Sequence, residues 1–460
     1  MSRSFAGLGF VACLVAFTWG CGPRPVPTLV LSPSPPPAPD PPSPPLVATA
    51  LPPDDAAVDC ALIAVAGDRI ATVALGERVD PANAPRPSND SERLLFRQLY
   101  ETLVRIDCEG RLRPGLAASW RLDTSSRTWT VTLRDNARFS DGTPVAAADV
   151  VSSWRGPQAR RYVESIIAVD DRALAITLRG DGANAPLVLA DTDLAIARRV
   201  PGSSWPLGTR DTRIVPEQGT PNAGGRSVVI LASDNLPSVR FLVAPGRDGR
   251  DFLDEGVDLL LTGDPAALDY AATLPQFLSV PLAWQRTYVL LSPWRGRSLP
   301  PLSAPARQTL ADEAVRGEAR GAESPFWWQG LPNCELAALQ PQNQPAPQAP
   351  MPGRIVYERS DDAARDLAER FVGLGTYQRA IGLTGDALAL SQARGTEAGY
   401  VVPFNRVPLD PCQELRNVVD RLKWLDPDTI VPLVDTRLRA IARRGRSGVT
   451  AEWDGGLVIR

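Results

Sequence analysis

The alternation of apolar and polar positions is cleanest over residues 128–133, Thr-Trp-Thr-Val-Thr-Leu. The apolar side chains fall on one side of an extended chain and the threonines on the other, which predicts a strand with one buried face. Residues 118–122 are predicted as its partner across a polar turn. Residues 163–169 and 173–178 predict a second hairpin that turns at Asp170-Asp171. These segments predict a small α+β subdomain.

Helical periodicity accompanies these strands. Leucines recur at every fourth position over residues 95–103 and predict a helix with one apolar face. Asn89 is predicted to cap its first turn, with Glu92 reaching back to the cap residue. Thr143 and Pro144 predict the start of a second helix, because proline at the first helical position loses no hydrogen bond.

The first 58 residues predict a signal and a tether rather than a folded domain. The apolar run at 5–19 is shorter than the roughly 20 residues of a membrane-spanning helix. It ends at Gly20-Cys21, which resembles a lipoprotein cleavage site, so residues 1–21 are read as a lipoprotein-type signal with Cys21 acylated. Ordinary cleavage or a plain membrane anchor is the alternative. Residues 22–58 are rich in proline and predict an extended tether.

The absence of histidine excludes many catalytic and metal sites. The chain has 460 residues, no histidine and a single lysine, Lys423. Ser-His-Asp and Cys-His catalysis, histidine zinc sites and imidazole-bound nickel or haem are therefore excluded, and Schiff-base chemistry is disfavoured. The net charge of −3 gives no basis for a nucleic-acid partner. We predict no enzyme, no metal and no cofactor, and keep a carboxylate-dependent hydrolase as the least favoured alternative.

A series of linked blocks carries a family resemblance. The blocks are Tyr-Glu-Thr-Leu-Val at 100–104, Pro-Gly-Leu-Ala at 114–117, Leu-Arg-Asp at 133–135, Phe-Ser-Asp-Gly-Thr-Pro-Val at 139–145 and Ala-Asp-Val at 148–150. In this order they resemble the family 5 extracellular solute-binding proteins, the peptide, nickel and oligopeptide receptors of bacterial ABC importers. The resemblance implies an α/β fold, a two-lobed clamp of the periplasmic binding protein type II kind with an additional α+β subdomain in the first lobe.

The resemblance also implies domain boundaries. Lobe 1 is expected over residues 59–285, with the subdomain at about 84–200. Lobe 2 is expected over residues 286–429, with an exposed Gln/Pro-rich loop at 340–352. Residues 430–460 are expected to return the chain to lobe 1. The chain is shorter than typical members, mostly in lobe 2.

Two departures from the family pattern leave the ligand class open. Residues 205–209 match the start of a family motif that continues with Gly-Pro-Tyr, but here Arg-Asp-Thr follows at 210–212. The aspartate that meets a peptide's amino terminus in some members aligns with Val407. That second departure argues against recognition of free peptides through this contact.

A ligand cleft needs aromatic or apolar walls and a few fixed polar groups. On that ground and by the resemblance, the candidate ligand-binding residues are Trp205, Trp284, Arg286, Tyr288, Trp327, Trp328, Arg406 and Asp410. Each also has an ordinary structural interpretation, since tryptophans fill cores, arginines form ion pairs and Asp-Pro sequences form turns. The strand that contains Arg286 and the pair Trp327-Trp328 are the favoured candidates.

Four cysteines follow the tether. Export would place Cys60, Cys108, Cys334 and Cys412 in oxidising conditions, where they can pair in three ways or stay as free thiols. The pairs Cys60–Cys108 and Cys334–Cys412 are favoured because each stays within one lobe of the implied fold.

The resulting prediction is a substrate-binding lipoprotein of an ABC importer. It is expected to be exported, lipid-anchored to a membrane on the periplasmic or cell-surface face, and to capture a small solute or short peptide for an ABC permease. The alternative is a degenerate solute-binding fold that acts as a surface interaction or sensory module without transport.

Overall fold

The structure is a computed structural model that describes residues 60–63, 66–179, 185–215, 227–233, 237–293, 302–321, 353–406, 418, 421–422, 424–425 and 430–460. The predicted signal, the tether and the loop at 340–352 lie outside the described residues. So do Cys21, Trp327, Trp328, Cys334, Val407, Asp410 and Cys412.

The first main sheet has the strand order β13-β20-β12-β2-β11-β10-β9. Its central strand β2 runs parallel to β11 and β12, and the outer strands pair antiparallel. The strands are β2 (Thr72–Leu75), β9 (Arg213–Val215), β10 (Ser227–Ala232), β11 (Val239–Val243), β12 (Leu259–Thr262), β13 (Phe277–Pro281) and β20 (Arg439–Arg443). This sheet is the centre of lobe 1.

The second main sheet has the strand order β15-β19-β14-β18-β16-β17. Strands β14, β15, β18 and β19 pair antiparallel, and β16 runs parallel to β17 and β18. The strands are β14 (Arg286–Leu291), β15 (Ala319–Arg320), β16 (Arg354–Glu358), β17 (Arg379–Leu383), β18 (Gly399–Asn405) and β19 (Ile430–Thr436). This sheet is the centre of lobe 2.

The subdomain contains an antiparallel sheet of order β5-β6-β8-β7. Its strands are β5 (Ala117–Asp123), β6 (Thr128–Leu133), β7 (Val163–Ala168) and β8 (Ala173–Leu178). Short pairs form from β1 (Asp68–Arg69) with β21 (Arg446–Ser447), β3 (Val104–Ile106) with β4 (Leu112–Pro114), and β22 (Val449–Ala451) with β23 (Leu457–Ile459). Both predicted hairpins are present, and the Asp170 carboxylate accepts from the backbone N–H groups of Arg172 and Ala173 at the second turn.

Helices cover both faces of the two main sheets. They are α1 (Asp90–Arg97), α2 (Ala147–Ser153), α3 (Ala185–Val188), α4 (Gly249–Asp254), α5 (Pro265–Thr273), α6 (Ala304–Glu313), α7 (Asp362–Gly373) and α8 (Gly385–Arg394), with 3₁₀ turns at Pro81–Asn83, Ala159–Arg161 and Thr192–Leu194. Within the described residues, no helix has both the length and the apolar composition needed to cross a bilayer.

Strand alternation explains this layering. In β2, Val73 and Leu75 pack against the apolar face of α1, whereas Ala74 packs on the opposite face with α4 and α5. In β14, Tyr288 and Leu290 pack against α6 and α7, whereas the alternate residues pack on the α8 side. Each lobe is therefore an α/β layer structure with two buried sheet faces.

One predicted capping bond and one predicted helix start need correction. Asn89 caps α1 as predicted, because its side-chain oxygen accepts from the N–H of Glu92 at 2.8 Å. Glu92 does not return that bond to Asn89 but accepts from the N–H of Asp80 and from Ser88. The second helix starts at Ala147, later than predicted, because Pro144 is still held in a bridge with Arg138.

The chain crosses between the main sheets twice, after β13 and after β19. Residues 430–436 belong to the second sheet as β19, so the return to the first sheet comes at β20 rather than at the predicted residue 430. The run Ile-Val-Pro-Leu-Val-Asp at 430–435 is buried throughout. Sequence pattern identifies such a strand as central but does not say which sheet contains it.

The Cys60–Cys108 disulfide predicted from the sequence is present, with an S–S distance of 2.02 Å. It joins the start of the described chain to the turn between β3 and β4. The amino-terminal segment is held further by Leu62, whose N–H donates to the carbonyl of Val449 at 2.8 Å. Both ends of the described chain thus pack on lobe 1.

Candidate functional site

A cavity of about 770 Å³ lies between the two main sheets. Its walls come from both lobes, which belong to one compact unit, Pro45–Arg460. Lobe 1 contributes, among others, Glu77, Asn89, Asp90, Asp264 and Pro265, and lobe 2 contributes Arg286, Tyr288, Glu318, Glu358, Asp361 and Asn405. We call this cavity the cleft.

Strand β14 brings two of the predicted site residues to the cleft. Arg286 and Tyr288 are two residues apart, so their side chains leave the same face of the strand. The Tyr288 side chain is 2% exposed, and its hydroxyl donates to both carboxylate oxygens of Asp361, at 2.9 and 3.1 Å. Burial raises the pKa of Tyr288, and the charge of Asp361 raises it further. The tyrosine therefore remains a neutral donor at physiological pH.

Arg286 joins the two lobes across the cleft. Its Nη2 donates to Oδ1 of Asp90 in α1 at 2.9 Å, and its Nε donates to Oδ1 of Asn405 in β18 at 3.1 Å. Burial lowers the pKa of Arg286, but the neighbouring Asp90 carboxylate more than offsets this and raises it overall. For Asp90, burial raises the pKa, but Arg286 and Arg93 hold it below its ordinary value. Both groups are charged, and the pair is a direct inter-lobe contact.

Asp361 is the cap of α7 as well as a cleft residue. Its Oδ1 accepts from the N–H of Ala364 at 2.9 Å, so the aspartate satisfies the first turn of the helix. From the sequence alone, Ser360 is the expected cap of this helix and Asp361-Asp362 is expected to be a solvated helix end. The structure instead half-buries Asp361, and this burial raises its pKa despite the bonds from Ala364 and Tyr288.

Glu77 is the corresponding carboxylate on the lobe 1 side. Its Oε2 accepts from the N–H of Ser91 at 2.9 Å. Surrounding protein atoms raise the pKa of Glu77, and the charge of Asp90 raises it further. Asp90 and Arg286 thus act electrostatically on both Glu77 and Asp361, so the four groups form one charge cluster across the cleft.

Several helices begin at the cleft. The first residues or caps of α1, α5, α7 and α8 are among its lining residues. Asn89, Asp264 and Asp361 cap the first three of these helices through side-chain oxygens. In α8, Thr384 makes no such side-chain bond. The N–H groups at these termini attract negative charge, which explains why acidic residues gather at this end of the lobes.

The other described candidates lie away from the cleft lining. Trp205 packs edge-on against Phe96 in the lobe 1 core, with ring centroids 6.0 Å apart. Trp284 lies between the guanidinium groups of Arg320 and Arg437, whose Cζ atoms are 4.6 and 4.4 Å from its ring centroid. These contacts give both tryptophans structural roles, Trp205 in the lobe 1 core and Trp284 beside the crossing segments.

Arg406 stacks on Trp453 at 4.8 Å, and its Nη1 donates to the carbonyl of Trp453 at 2.9 Å. It therefore joins the end of β18 in lobe 2 to the carboxy-terminal part of lobe 1. Whether any of the candidates contacts a ligand stays a prediction.

The family-like segment at 205–209 serves packing within lobe 1. A Cβ on Gly208 would lie 2.3 Å from the carbonyl oxygen of Leu99, so any side chain there would clash. The Thr209 hydroxyl accepts from the N–H of Glu101 at 2.8 Å. The retained residues of the motif thus hold the subdomain against the end of α1.

Sequence reasoning missed Glu77, Asp90 and Asp361. The available signal was the run of helix starts with acidic first residues, but such residues are ordinary caps in most proteins. Their meeting at one cleft depends on the packing of two lobes. Among the described residues, no group of three or more histidine, cysteine, aspartate or glutamate side chains is arranged to hold a metal ion.

Residues 111–210 match the family described as bacterial extracellular solute-binding proteins, family 5 middle. The two-lobed fold matches solved family structures over most of the chain. Over residues 111–210 and in its fold, this chain is similar to the family 5 solute-binding proteins. The predicted resemblance and the α/β two-lobed fold are therefore confirmed.

Two relatives are similar in both sequence and structure. The periplasmic murein peptide-binding protein MppA of Escherichia coli is 44% identical over 77 residues, which is 17% of this chain and 14% of MppA. Its structure aligns with a TM-score of 0.58 at 14% identity, covering 86% of this chain and 99% of that one. The periplasmic oligopeptide-binding protein OppA of Haemophilus influenzae is 50% identical over 58 residues, 13% of this chain and 11% of OppA.

The structure of that OppA in complex with the peptide RPPGFSPFR aligns with a TM-score of 0.57 at 16% identity, covering 85% of this chain and 99% of that one. A third structure, AgaA of A. tumefaciens R10 in complex with agropinic acid, aligns with a TM-score of 0.60 at 14% identity, covering 84% and 95% of the two chains. At these identities the structural matches show the shared fold. The relatives are named as binding proteins, which points away from an enzymatic role.

Proposed function

We propose that this protein is the solute-binding receptor of an ABC importer and captures a small solute or short peptide between its lobes. The observation that carries the proposal is the cleft, because its walls come from both lobes. A ligand that contacts both lobes is bound most tightly when they are closed, so binding drives closure. A volume of about 770 Å³ lies within the range of small-molecule sites.

The location and partners follow from the same proposal. The relatives named above are periplasmic binding proteins, and the sequence predicts export with a lipid on Cys21 and a proline-rich tether. We infer that the tether holds the folded part away from the membrane while an ABC permease receives the solute. Mass spectrometry of the membrane fraction tests the anchor: a diacylglyceryl group on Cys21 supports it, and a mature chain that starts elsewhere contradicts it.

Ligand binding is tested with the purified full-length mature protein. Thermal melting is measured against libraries of short peptides, sugars and small amine or acid solutes, and each hit is confirmed by calorimetry. A ligand at 100 times its Kd should stabilise the folded state by about 2.7 kcal/mol. The absence of any stabilising compound, together with no small molecule released from the purified protein on denaturation, would contradict the receptor function.

A second candidate function is supported by the contact between Arg286 and Asp90. This ion pair joins the lobes through the protein's own side chains, as a surface interaction or sensory module without transport would require. The two functions differ in one measurement. A receptor should change its radius of gyration when its ligand is added, whereas a module closed by its own side chains should scatter identically with and without every compound tested.

A further inference from the structure

The charge of the cleft defines the class of ligand that it can accept. Among the described residues that line it, eight carboxyl groups stand against four arginines, a net side-chain charge of −4. The helix amino termini at the cleft partly offset this negative charge. Each contributes about half a positive charge, so the four together contribute about +2. The balance remains negative, by about two charges.

Most of the cleft's charged groups already have partners. Glu318 accepts from Arg437 and Arg439, and Arg365 pairs with Asp362 and Asp366. Asp90 pairs with Arg286. The charges of these groups are already compensated by neighbouring side chains, so they need no ligand to balance them.

Glu77 and Asp361 differ from these groups. Glu77 accepts a bond from the N–H of Ser91, and Asp361 accepts bonds from Ala364 N–H and the Tyr288 hydroxyl, all of them neutral donors. Within the part of the chain that the structure describes, neither carboxylate has an ion-pair partner. One belongs to lobe 1 and the other to lobe 2, and Arg286 is the arginine whose charge acts on both.

We propose that the cleft selects solutes with a positively charged amine or guanidinium group, held between Glu77 of lobe 1 and Asp361 of lobe 2. This inference deepens the proposed receptor function and rests on it. A cation at this position would compensate the surplus charge and would contact both lobes at once, so it would favour closure. An organic cation fits better than a metal ion, because no group of three metal-ligating side chains converges among the described residues.

Tyr288 acts as a positioning residue in this arrangement. Its bifurcated bond to Asp361, together with the cap bond from Ala364, fixes the carboxylate at the wall of the cleft. A carboxylate held in place loses less side-chain entropy on binding than a free one.

The test compares ligands that differ in charge and not in size. Binding to the mature protein is measured by calorimetry for the tripeptide Ala-Arg-Ala, its citrulline counterpart and Ala-Glu-Ala, and for agmatine against its uncharged carbamoyl counterpart. The thermal-melting libraries are run in parallel. We expect the cationic member of at least one series to bind at least tenfold more tightly than its neutral counterpart, since bonds to a charged partner are about twice as strong as neutral ones.

Two variants assign the selectivity to the named carboxylates. Asp361→Asn keeps the α7 cap, because asparagine caps as well as aspartate, and Glu77→Gln keeps an acceptor for Ser91. Each should weaken binding of the cation about tenfold or more and leave the neutral counterpart unchanged. Glu369→Gln is the matched control, since it removes an exposed carboxylate from the same helix without touching the cleft. It should bind as the wild type does.

The possible failures are distinguishable. If neutral or anionic compounds stabilise the protein and cations do not, the charge selectivity is wrong while the receptor function stands. If Glu369→Gln weakens binding of the cation as much as Asp361→Asn does, the selectivity comes from the overall negative charge of the protein. The contacts assigned to Glu77 and Asp361 are then wrong. If no compound of any charge binds, the receptor function fails and this inference fails with it.

Discussion

At the scale of single residues, the same carboxylate serves stability and the cleft. Asp361 caps α7 through Ala364 and also faces the cavity, where burial raises its pKa. Asp123 is the opposite case, an exposed turn residue whose pKa is lowered by bonds from Ser125 and Ser126. An identical side chain therefore has opposite pH behaviour at the two positions, set by whether its surroundings favour the neutral or the charged form.

Replacement of Asp361 by asparagine should change the pH dependence of stability. A carboxyl group whose folded pKa is raised binds its proton more tightly in the folded state, so its contribution to stability falls as the pH rises from the ordinary value of 3.8. Asparagine does not titrate. The free energy of unfolding of Asp361→Asn, relative to the wild type, should therefore increase between pH 3 and pH 7, as urea titrations can show.

Asp123→Asn is the control with the opposite sign. Because the pKa of Asp123 is lowered in the folded state, its carboxylate stabilises the folded protein at pH values above the ordinary pKa. That stabilisation is lost as the pH falls. Relative to the wild type, this variant should lose stability between pH 3 and pH 7. Equal slopes for the two variants would contradict the assignment.

Removal of Arg97 should strongly destabilise lobe 1. Its side chain is 7% exposed and donates to Asp454 at 2.6 Å and to Glu452. Replacement by methionine leaves the buried Asp454 without its ion-pair partner and Glu452 with Arg105 alone, and breaking a buried pair in this way typically costs about 3–5 kcal/mol. Urea unfolding of Arg97→Met measures this loss. Arg250→Met breaks an exposed pair with Asp248 and should change the free energy of unfolding far less than Arg97→Met does, because solvent screens exposed ion pairs.

At the scale of elements, α1 connects several parts of lobe 1. Its apolar face packs on β2, its start lies at the cleft, and its end contacts the carboxy-terminal hairpin through Arg97 and Gln98. The segment around Gly208 packs against Leu99, which lies just after the end of α1. This explains why the motif residues at 205–209 persist although the Gly-Pro-Tyr continuation is lost.

The disulfide between Cys60 and Cys108 should stabilise lobe 1. The cysteines are 48 residues apart, and a loop of this length predicts stabilisation of roughly 2–4 kcal/mol through the unfolded state. The double variant Cys60→Ala/Cys108→Ala should lose about that much free energy of unfolding in oxidising buffer. A loss of well under 1 kcal/mol would show that Leu62 and its backbone bond already hold the segment.

At the scale of the whole molecule, the lobes are joined by two crossing segments and by side-chain contacts such as Arg286–Asp90 and Arg406–Trp453. If the proposed receptor function holds, the lobes exchange between open and closed positions, and contacts of this kind set the balance between them.

Arg286→Ala should shift the ligand-free protein toward an open form. The lost bonds are charge-assisted, so the closed population should fall about 10- to 100-fold relative to the open one. Small-angle X-ray scattering then shows a larger radius of gyration than in the wild type. Arg93→Ala is the matched control. Arg93 also lies beside Asp90, but both residues belong to α1, so this contact does not join the lobes. If both variants scatter like the wild type, the ion pair does not control closure.

The amino-acid sequence by itself determined the local structure of lobe 1. Strict alternation over 128–133 and the Asp170-Asp171 turn specify their hairpins, because a strand with one buried face has only one consistent register. The Asn89 cap specifies the start of α1, whereas the leucine repeat does not specify its end, because the helix stops at Arg97 and Leu99 and Leu103 lie beyond it. The ordered motif blocks carry the resemblance to family 5, which the match over residues 111–210 supports. These are properties of neighbouring residues, which the sequence records directly.

The tertiary structure decided which of these pieces meet. The assignment of β19 to lobe 2 rests on its pairing with β14, and the cleft rests on Glu77, Asp90, Arg286 and Asp361, which are up to hundreds of positions apart. No local pattern distinguishes an acidic helix cap in solvent from one that faces a second lobe. That difference depends on burial and neighbouring charge, which exist only once the two sheets have packed.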